Sequence, residues 1–261
     1  MLTFFRHIRK SLLGSGQARK YLLYAIGEIA LVVIGILIAL QINNWNEKRN
    51  LDKVEHTYLQ NLKVDLESLQ ANIEQQEKQE LSIMNNCSRG LFFLGEDPPN
   101  ADSLRNVLTF GFAGRRTFKA NRSVFQDLTS SGNIGIISNL NLRNHILLLY
   151  QRVDYVETVI ENGNLVWYDE TLKSLIQKGT IDISNTAVIP TISQFPVTFE
   201  VPPLKNTSEK IAQFLSDEKT HYIVYNEVAT VAKRASLHIS QLKSLNEGID
   251  NLINEISKEL D

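Results

Sequence analysis

The most apolar part of the chain is residues 21–42, which read YLLYAIGEIALVVIGILIALQI and include one charged residue, Glu28. At about 1.5 Å per residue, a helix of this length crosses the roughly 30 Å hydrocarbon core of a bilayer. The apolar centre alone would also suit a cleavable signal peptide or a buried core helix. Because no small-residue cleavage motif follows Ala39, the pattern predicts an uncleaved signal anchor, with a transmembrane helix over 21–43.

After the span, the pattern changes to that of a long amphipathic helix over 44–86. Its apolar residues recur at alternating spacings of three and four, at Leu59, Leu62, Leu66, Leu69 and Ile73. Neither glycine nor proline falls between Glu47 and Gly90, so the helix is predicted to run unbroken to about Met84 and to stop at Asn85 and Asn86.

The region 207–261 predicts a short helix through Leu215 and then a long final helix from Asp217 or Thr220. Its apolar positions follow a sustained heptad, at Val224, Val228, Val231, Ala235, His238, Leu242, Leu245, Ile249, Leu252 and Ile256. Such a stripe needs a long partner, and the helix at 44–86 is the candidate of similar length. We therefore expect these two helices to pack antiparallel.

The middle of the chain predicts shorter elements. Residues 87–179 contain a loop at 95–100 (GEDPPN), short helices, and a longer helix capped by Asn139 or Asn141. In that longer helix, 162–164 (NGN) is a candidate interruption, although the apolar period resumes up to Gly179. Residues 180–206 contain four of the six prolines and predict an irregular, partly extended segment.

These patterns predict an all-α fold, with a transmembrane helix followed by an elongated helical bundle of long, antiparallel, coiled-coil-like helices and one short irregular segment. The predicted divisions are a basic tail at 1–20, the transmembrane helix at 21–43, the long helix at 44–86, the middle region at 87–179, the irregular segment at 180–206 and the C-terminal helices at 207–261.

Basic residues are more frequent before the span than after it. Five precede it, Arg6, Arg9, Lys10, Arg19 and Lys20, and three follow closely, Lys48, Arg49 and Lys53. By the positive-inside rule, the N-terminus is expected in the cytoplasm and the C-terminal domain in the periplasm, with the protein in the bacterial inner membrane. In the tail, apolar positions at helical spacing also predict an interfacial helix on the anionic leaflet.

Composition narrows the possible partners. The part after the span is mildly acidic, which disfavours nucleic acid binding. The single cysteine, Cys87, excludes an intrachain disulfide and is interpreted as a small buried apolar residue rather than a lipidated or bridging thiol.

The transmembrane segment contains the candidate interaction residues. Gly27, Leu31, Gly35 and Ala39 share one helix face, and Gly35 and Ala39 form a small-xxx-small pair that allows close helix approach. This face predicts helix association, giving a homo-oligomer or a complex with another membrane protein. Glu28 beside it has two interpretations: an acid tolerated near the interface, or a group facing a partner or proton path.

No residue pattern predicts catalysis, a cofactor or a metal. The five histidines lack the spacing of a zinc site, and His238 on the heptad is interpreted as a register-setting core residue rather than a ligand or pH sensor. Nucleophile-elbow, P-loop and dinucleotide motifs are absent from the sequence. Four basic residues near 119 are interpreted as a solvated loop rather than an anion site; they are Arg115, Arg116, Lys119 and Arg122.

Two stretches of the chain resemble a known family. The run YLLYAIGEIALVVIGILIALQINNWNEKR, after a basic FFRHIRKSLL tail, and the later SVFQDLTSSGNIGIISNLNLRNHILLLY are similar to an uncharacterised family of single-pass membrane proteins common in Bacteroidota. The resemblance implies an anchored helical protein of bacterial source and supplies no catalytic residue.

The sequence thus favours a membrane-anchored, non-enzymatic helical protein that acts as a scaffold, sensor or partner-binding component of the cell envelope. The alternative is a subunit of a proton-coupled or gated membrane complex that uses Glu28. A hydrolase is disfavoured because no nucleophile or metal set is visible.

Overall fold

In the computed structural model, residues 18–112, 117–180 and 205–260 are described. Within these ranges every regular element is helical, which confirms the predicted all-α class. The chain divides into two compact units, Met1–Thr57 and Tyr58–Asp261. The basic tail and interfacial helix predicted at 1–20, and most of the irregular segment predicted at 180–206, lie outside the described residues.

The α-helices are numbered here in chain order. They are α1 (Ala18–Leu94), α2 (Ala101–Phe112), α3 (Ser123–Ser130), α4 (Leu140–Asn162), α5 (Asp169–Gln177), α6 (Thr207–Leu215) and α7 (Glu218–Leu260). A 3₁₀ turn, Asn133–Ile136, precedes α4, and a π-helical turn, Gly163–Tyr168, joins α4 to α5.

Helix α1 is 77 residues long and contains the predicted transmembrane segment. Among the described residues, it is the one helix long and apolar enough to cross a membrane, and it lies near the N-terminus. Within the first unit, large apolar side chains between residues 22 and 42 are exposed around the whole helix; Leu31, for example, is 74% exposed. This pattern favours a membrane anchor, because water-soluble surfaces rarely present a continuous apolar patch of this size.

The predicted end of the long helix near Met84 is wrong. Helix α1 continues through Asn85 and Gly90 and ends at Leu94, where the loop begins. A Cβ at Gly90 would lie 2.8 Å from a methyl carbon of Leu108 in α2, so this glycine is a close-packing position rather than a stop. Packing of the two helices therefore overrides the local preference of asparagine and glycine to end a helix.

The second unit is built around two apolar cores. The first joins the middle of α1 to α4 and the C-terminal half of α7. The second joins the end of α1 to α2, α5, α6 and the N-terminal half of α7. The predicted core stripe of α1 is buried, as is every predicted heptad position of α7: Val224, Val228, Val231, Ala235, His238, Leu242, Leu245, Ile249, Leu252 and Ile256.

Helices α1 and α7 run antiparallel in this unit. Lys63 Nζ donates to Ser257 Oγ at 3.0 Å, and Gln70 Nε2 donates to Asp250 Oδ1 at 2.7 Å. Residue numbers rise along α1 while those of its partners fall along α7, which confirms the expected direction of packing.

Local capping sets the ends of the middle helices. The Asn139 side chain is the N-cap of α4, accepting hydrogen bonds from the backbone N–H groups of Asn141 and Leu142. Past α4, the chain does not break at Gly163 but continues through the π-helical turn into α5. A turn at Gly179, whose φ of +67° favours glycine, follows α5.

Candidate functional site

The predicted association face lies in the exposed part of α1. Gly27, Glu28, Leu31, Gly35 and Ala39 are all exposed. A Cβ added at either glycine would meet nothing within 4 Å in the chain. The face is open to a second helix, and its role in association stays a prediction.

A different group of polar residues lies inside the bundle, on the apolar stripe of α1. Continuing the three-four spacing beyond Ile73 leads to Gln76, Glu80, Ile83 and Cys87, and all four are buried. The stripe therefore runs on through two polar positions. Sequence reasoning missed both because it counted apolar residues only; the unchanged spacing was the signal that could have found them.

These two positions face His238 of α7, which is 3% exposed. His238 Nδ1 lies 3.1 Å from Glu80 Oε1, and Gln76 Nε2 donates to the same carboxylate oxygen at 2.9 Å. A buried carboxyl group is costly unless it is hydrogen-bonded, and this arrangement places two polar groups within hydrogen-bonding distance of Glu80.

The π-helical turn closes the other side of His238. A Cβ at Gly163 would lie 2.5 Å from His238 Nε2, so only glycine lets the turn approach the ring this closely. Among the described residues, none forms a hydrogen bond with His238 Nε2. We refer to Gln76, Glu80, Gly163 and His238 as the polar core cluster.

A cavity of about 20 Å³ adjoins the polar core cluster and is also lined by Asn164 and Arg234. It has room for about one water molecule. The described residues that line it carry no hydroxyl or thiol, so the His238–Glu80 pair has no nucleophile beside it to activate. The described residues also contain no group of three or more His, Cys, Asp or Glu side chains placed to hold a metal ion.

The predicted basic loop near residue 119 is neutralised where the structure describes it. Arg122 pairs with Asp154 and with Glu157, the latter at 2.9 Å, and Lys119 Nζ lies 3.2 Å from Glu161 Oε2. The hydrogen bond that Lys119 donates to Glu161 and the negative charge of Glu157 raise the pKa of Lys119. These two side chains are therefore occupied by acids of α4 and do not form an open anion site. Two other members of this group, Arg115 and Arg116, lie outside the described residues.

The single cysteine is inside the second core. Cys87 is fully buried, which confirms its interpretation as a buried apolar residue. Burial raises the pKa of its thiol to about 12, so little reactive thiolate is present at neutral pH.

Comparison with curated proteins and with solved structures gave no match. A family model described as a family of unknown function (DUF6090) matches residues 28–189, which is more than half of the chain. The matched range includes Gln76, Glu80 and Gly163 but ends before His238. The expected membership of an uncharacterised family is confirmed, while the bacterial source and the N-terminal signature stay predictions. The chain belongs to this family of unknown function.

Proposed function

We propose that this protein is a single-pass, non-enzymatic component of the bacterial inner membrane, whose helical bundle lies in the periplasm and binds a partner protein. The observation that carries the proposal is the exposure of apolar side chains all around α1 between residues 22 and 42. Removing this surface from water is favourable, and a bilayer is the solvent that covers a helix on every side.

The interior of the bundle supports a binding role over an enzymatic one. The polar core cluster is enclosed, and its cavity has room for a water molecule rather than a substrate. The mild acidity of the part after the span favours a protein partner over nucleic acid. The partners we propose are the lipid bilayer and either a second copy of the chain or another membrane protein.

Membrane extraction tests the anchor. We expect the full-length chain to stay with membranes washed in alkaline carbonate. Replacing Leu31 and Ile34 by arginine should release it, because each such charge at the centre of a span costs about 2.5–3.5 kcal/mol. The matched control places arginine at Val64 and Leu81, exposed positions of α1 outside the span. Recovery of the unmodified chain in the soluble fraction would contradict the proposal.

Cysteine labelling tests the orientation. Cys87 is buried, so a Leu237→Cys variant carries one accessible thiol on α7. On intact spheroplasts, a membrane-impermeant maleimide should label this variant and leave the unmodified chain unlabelled. Labelling that requires lysis of the spheroplasts would place the bundle in the cytoplasm and overturn the assignment.

Crosslinking tests helix association in the membrane. We expect Gly35→Cys to give a disulfide-linked dimer under mild oxidation, because this position belongs to the open face with Gly27. Val33→Cys is the control, since it lies on the opposite side of the same helix. Equal dimer from both variants, or none from Gly35→Cys, would count against this face.

Glu28 supports a second candidate function, that of a proton-coupled or gated complex. Its side chain is exposed within the apolar segment, where an acid is costly and is often functional. Under this alternative Glu28→Gln abolishes coupling while assembly is retained. An unchanged phenotype and unchanged assembly of Glu28→Gln would leave the alternative without support.

A further inference from the structure

A groove of about 1130 Å³ lies at the end of the second unit, where α1 ends and α7 begins. Its lining includes Leu94, Pro98, Pro99, Leu215, Tyr222 and Tyr225. The groove is open and exceeds the volume of about 1,000 Å³ that marks the upper end of small-molecule sites. Its size therefore suits a short stretch of polypeptide better than a metabolite.

Two tyrosines give the groove an aromatic wall. Tyr222 is 71% exposed and Tyr225 is 42% exposed. They are three residues apart on α7, so they are neighbours on one face of the helix. Exposed aromatic residues dominate many peptide-binding surfaces. Their side chains have two rotatable bonds and therefore bury a large area at a low cost in conformational entropy.

The start of α7 holds this wall in place. His221 Nε2 lies 2.8 Å from the backbone oxygen of Leu94, which links α7 to the end of α1. Asp217 accepts hydrogen bonds from the backbone and hydroxyl of Thr220, and these bonds lower the pKa of Asp217. The helix end beside the tyrosines is thus fixed from two directions.

The charge of the rim selects for a cation. The charged groups that line the groove, here called its rim, are three carboxylates and one amine. The carboxylates belong to Glu96, Asp97 and Glu218, and the amine belongs to Lys219. None of these four side chains forms an ion pair within the part of the chain that the structure describes. A cationic group entering the groove therefore gains attraction without displacing an existing partner.

The fold around the groove limits the backbone conformation that a bound peptide can adopt. The described residues contain no strand, so the groove has no sheet edge to pair with an extended peptide. Polyproline II is the extended conformation that needs no main-chain partner, and it docks on aromatic grooves. Arginine complements both features, because its guanidinium stacks on tyrosine and pairs with carboxylates.

We propose that this groove binds an arginine-containing, proline-rich segment of a partner protein in the polyproline II conformation. This inference rests on the proposed function and gives the chemistry of the partner. The test uses the full chain in dodecyl maltoside, an uncharged detergent that does not attract arginine. The probe is a fluorescein-labelled (Pro-Pro-Arg)₄ peptide, and its binding is followed by fluorescence anisotropy.

We expect (Pro-Pro-Arg)₄ to bind at least tenfold more tightly than (Pro-Pro-Glu)₄ or (Gly-Ser-Arg)₄. Replacing both groove tyrosines by alanine should weaken binding at least tenfold. Tyr155→Ala is the matched control, because Tyr155 is an exposed tyrosine on α4 outside the groove and should leave binding unchanged. Converting the three rim carboxylates to amides should weaken binding and flatten its dependence on salt. Circular dichroism checks that each variant keeps its helix content.

Four outcomes would overturn the inference. They are absence of binding, equal binding of (Gly-Ser-Arg)₄, an equal loss in Tyr155→Ala, and tighter binding of a basic amphipathic helical peptide. The second would show attraction of charge alone, and the fourth would replace the extended occupant by a helix. Because affinity in detergent does not depend on the compartment or the anchor, failure here is distinguishable from failure of the membrane proposal.

Discussion

His238 lies on the apolar stripe of α7, whose other members are aliphatic. Its surroundings provide a hydrogen-bonding contact for one of its two ring nitrogens. Nδ1 faces Glu80, whereas Nε2 points to Gly163 and the small cavity. A buried polar pair at one layer of two long helices disfavours shifted alignments, in which each group would face apolar neighbours. That His238 sets the register of α1 against α7 remains a hypothesis.

Replacing Glu80 by leucine should lower the free energy of unfolding by about 1–3 kcal/mol, because His238 and Gln76 both lose a buried hydrogen-bond acceptor. The measurement is urea unfolding followed by circular dichroism in detergent. Glu74→Leu is the control on the same helix, since Glu74 is exposed and, among the described residues, forms its ion pair with Lys78, and it should change little. Equal effects of the two substitutions would show that burial of Glu80 is not what matters.

Alanine at Gly163 should be destabilising by about 1–3 kcal/mol, because the new methyl group overlaps the His238 ring. The dihedral angles of Gly163, φ −58° and ψ −41°, are those of a right-handed helix that alanine adopts without strain, so helix propensity alone predicts the opposite sign. The control is Gly135→Ala, where a Cβ meets nothing within 4 Å. Adding His238→Ala to the Gly163 variant should recover part of the loss in thermal unfolding, and a strictly additive double variant would argue against the overlap.

The thiol of Cys87 should resist modification in the folded protein. At pH 8 the raised pKa, near 12, leaves little thiolate, and burial blocks access. We expect Ellman's reagent to react slowly without denaturant and fully in 8 M urea, while the added thiol of Leu237→Cys reacts at once. Rapid reaction of the unmodified folded chain would show that the second core opens readily.

The burial of His238 and Cys87 followed from spacing and residue type, whereas the partners of His238 could not be predicted. Glu80 is polar, so it ended the count of apolar positions, and 158 residues separate it from His238. The sequence predicts Gly163 only as a candidate interruption of a helix. Its packing role could not be predicted, because that role depends on the His238 ring from another helix. Contacts between distant residues are set by tertiary packing, which a single sequence does not display.

At the scale of the elements, the N-terminus of α3 is capped by a side chain from another helix. Arg122, its N-cap residue, gives no side-chain cap. Asp65 of α1 instead accepts hydrogen bonds from Ser123 Oγ at 3.2 Å and from the backbone N–H of Val124 at 3.1 Å. A carboxylate at this place also interacts favourably with the positive end of the helix dipole.

Asp65→Ala should destabilise the bundle by about 1–2 kcal/mol, because the first turn of α3 loses its cap. Asp65→Asn should lose less, since the amide oxygen still accepts hydrogen bonds. Glu67→Ala is the control, an exposed acid on the same helix. Urea unfolding compares the three variants, and an equal loss in Glu67→Ala would indicate general helix weakening in place of a lost cap.

Helix boundaries were predictable where local signals agreed with the tertiary structure. The sequence predicts the loop at 95–100 and short helices in the same region, and the structure has the short helix Ala101–Phe112 directly after the loop. The end of α1 was misplaced because Asn85 and Gly90 carry local stop signals that packing on α2 overrides. The cap from Asp65 was not predictable either, because Asp65 belongs to another helix and lies 58 residues before Ser123 in the sequence.

At the scale of the molecule, the periodicity of apolar residues predicts the all-helical class and the two long helices. It does not predict which helices pack together around each core. Both cores include α7, which packs with α4 in the first and with α2, α5 and α6 in the second. These groupings depend on shape complementarity between helix faces that have similar apolar stripes. The apolar stretch at 21–42 needed no such information, because its length, composition and flanking residues together favour a membrane span.

The antiparallel pairing of α1 with α7 has a consequence for how the protein is made. The stripe between residues 59 and 73 shares its core with side chains that lie between 142 and 160 and with others that lie between 242 and 256. During translation the stripe on α1 stays partly uncovered until residues 242–256 have been synthesised. A fragment that ends before residue 242 is therefore expected to expose apolar surface of α1 and to be prone to aggregate.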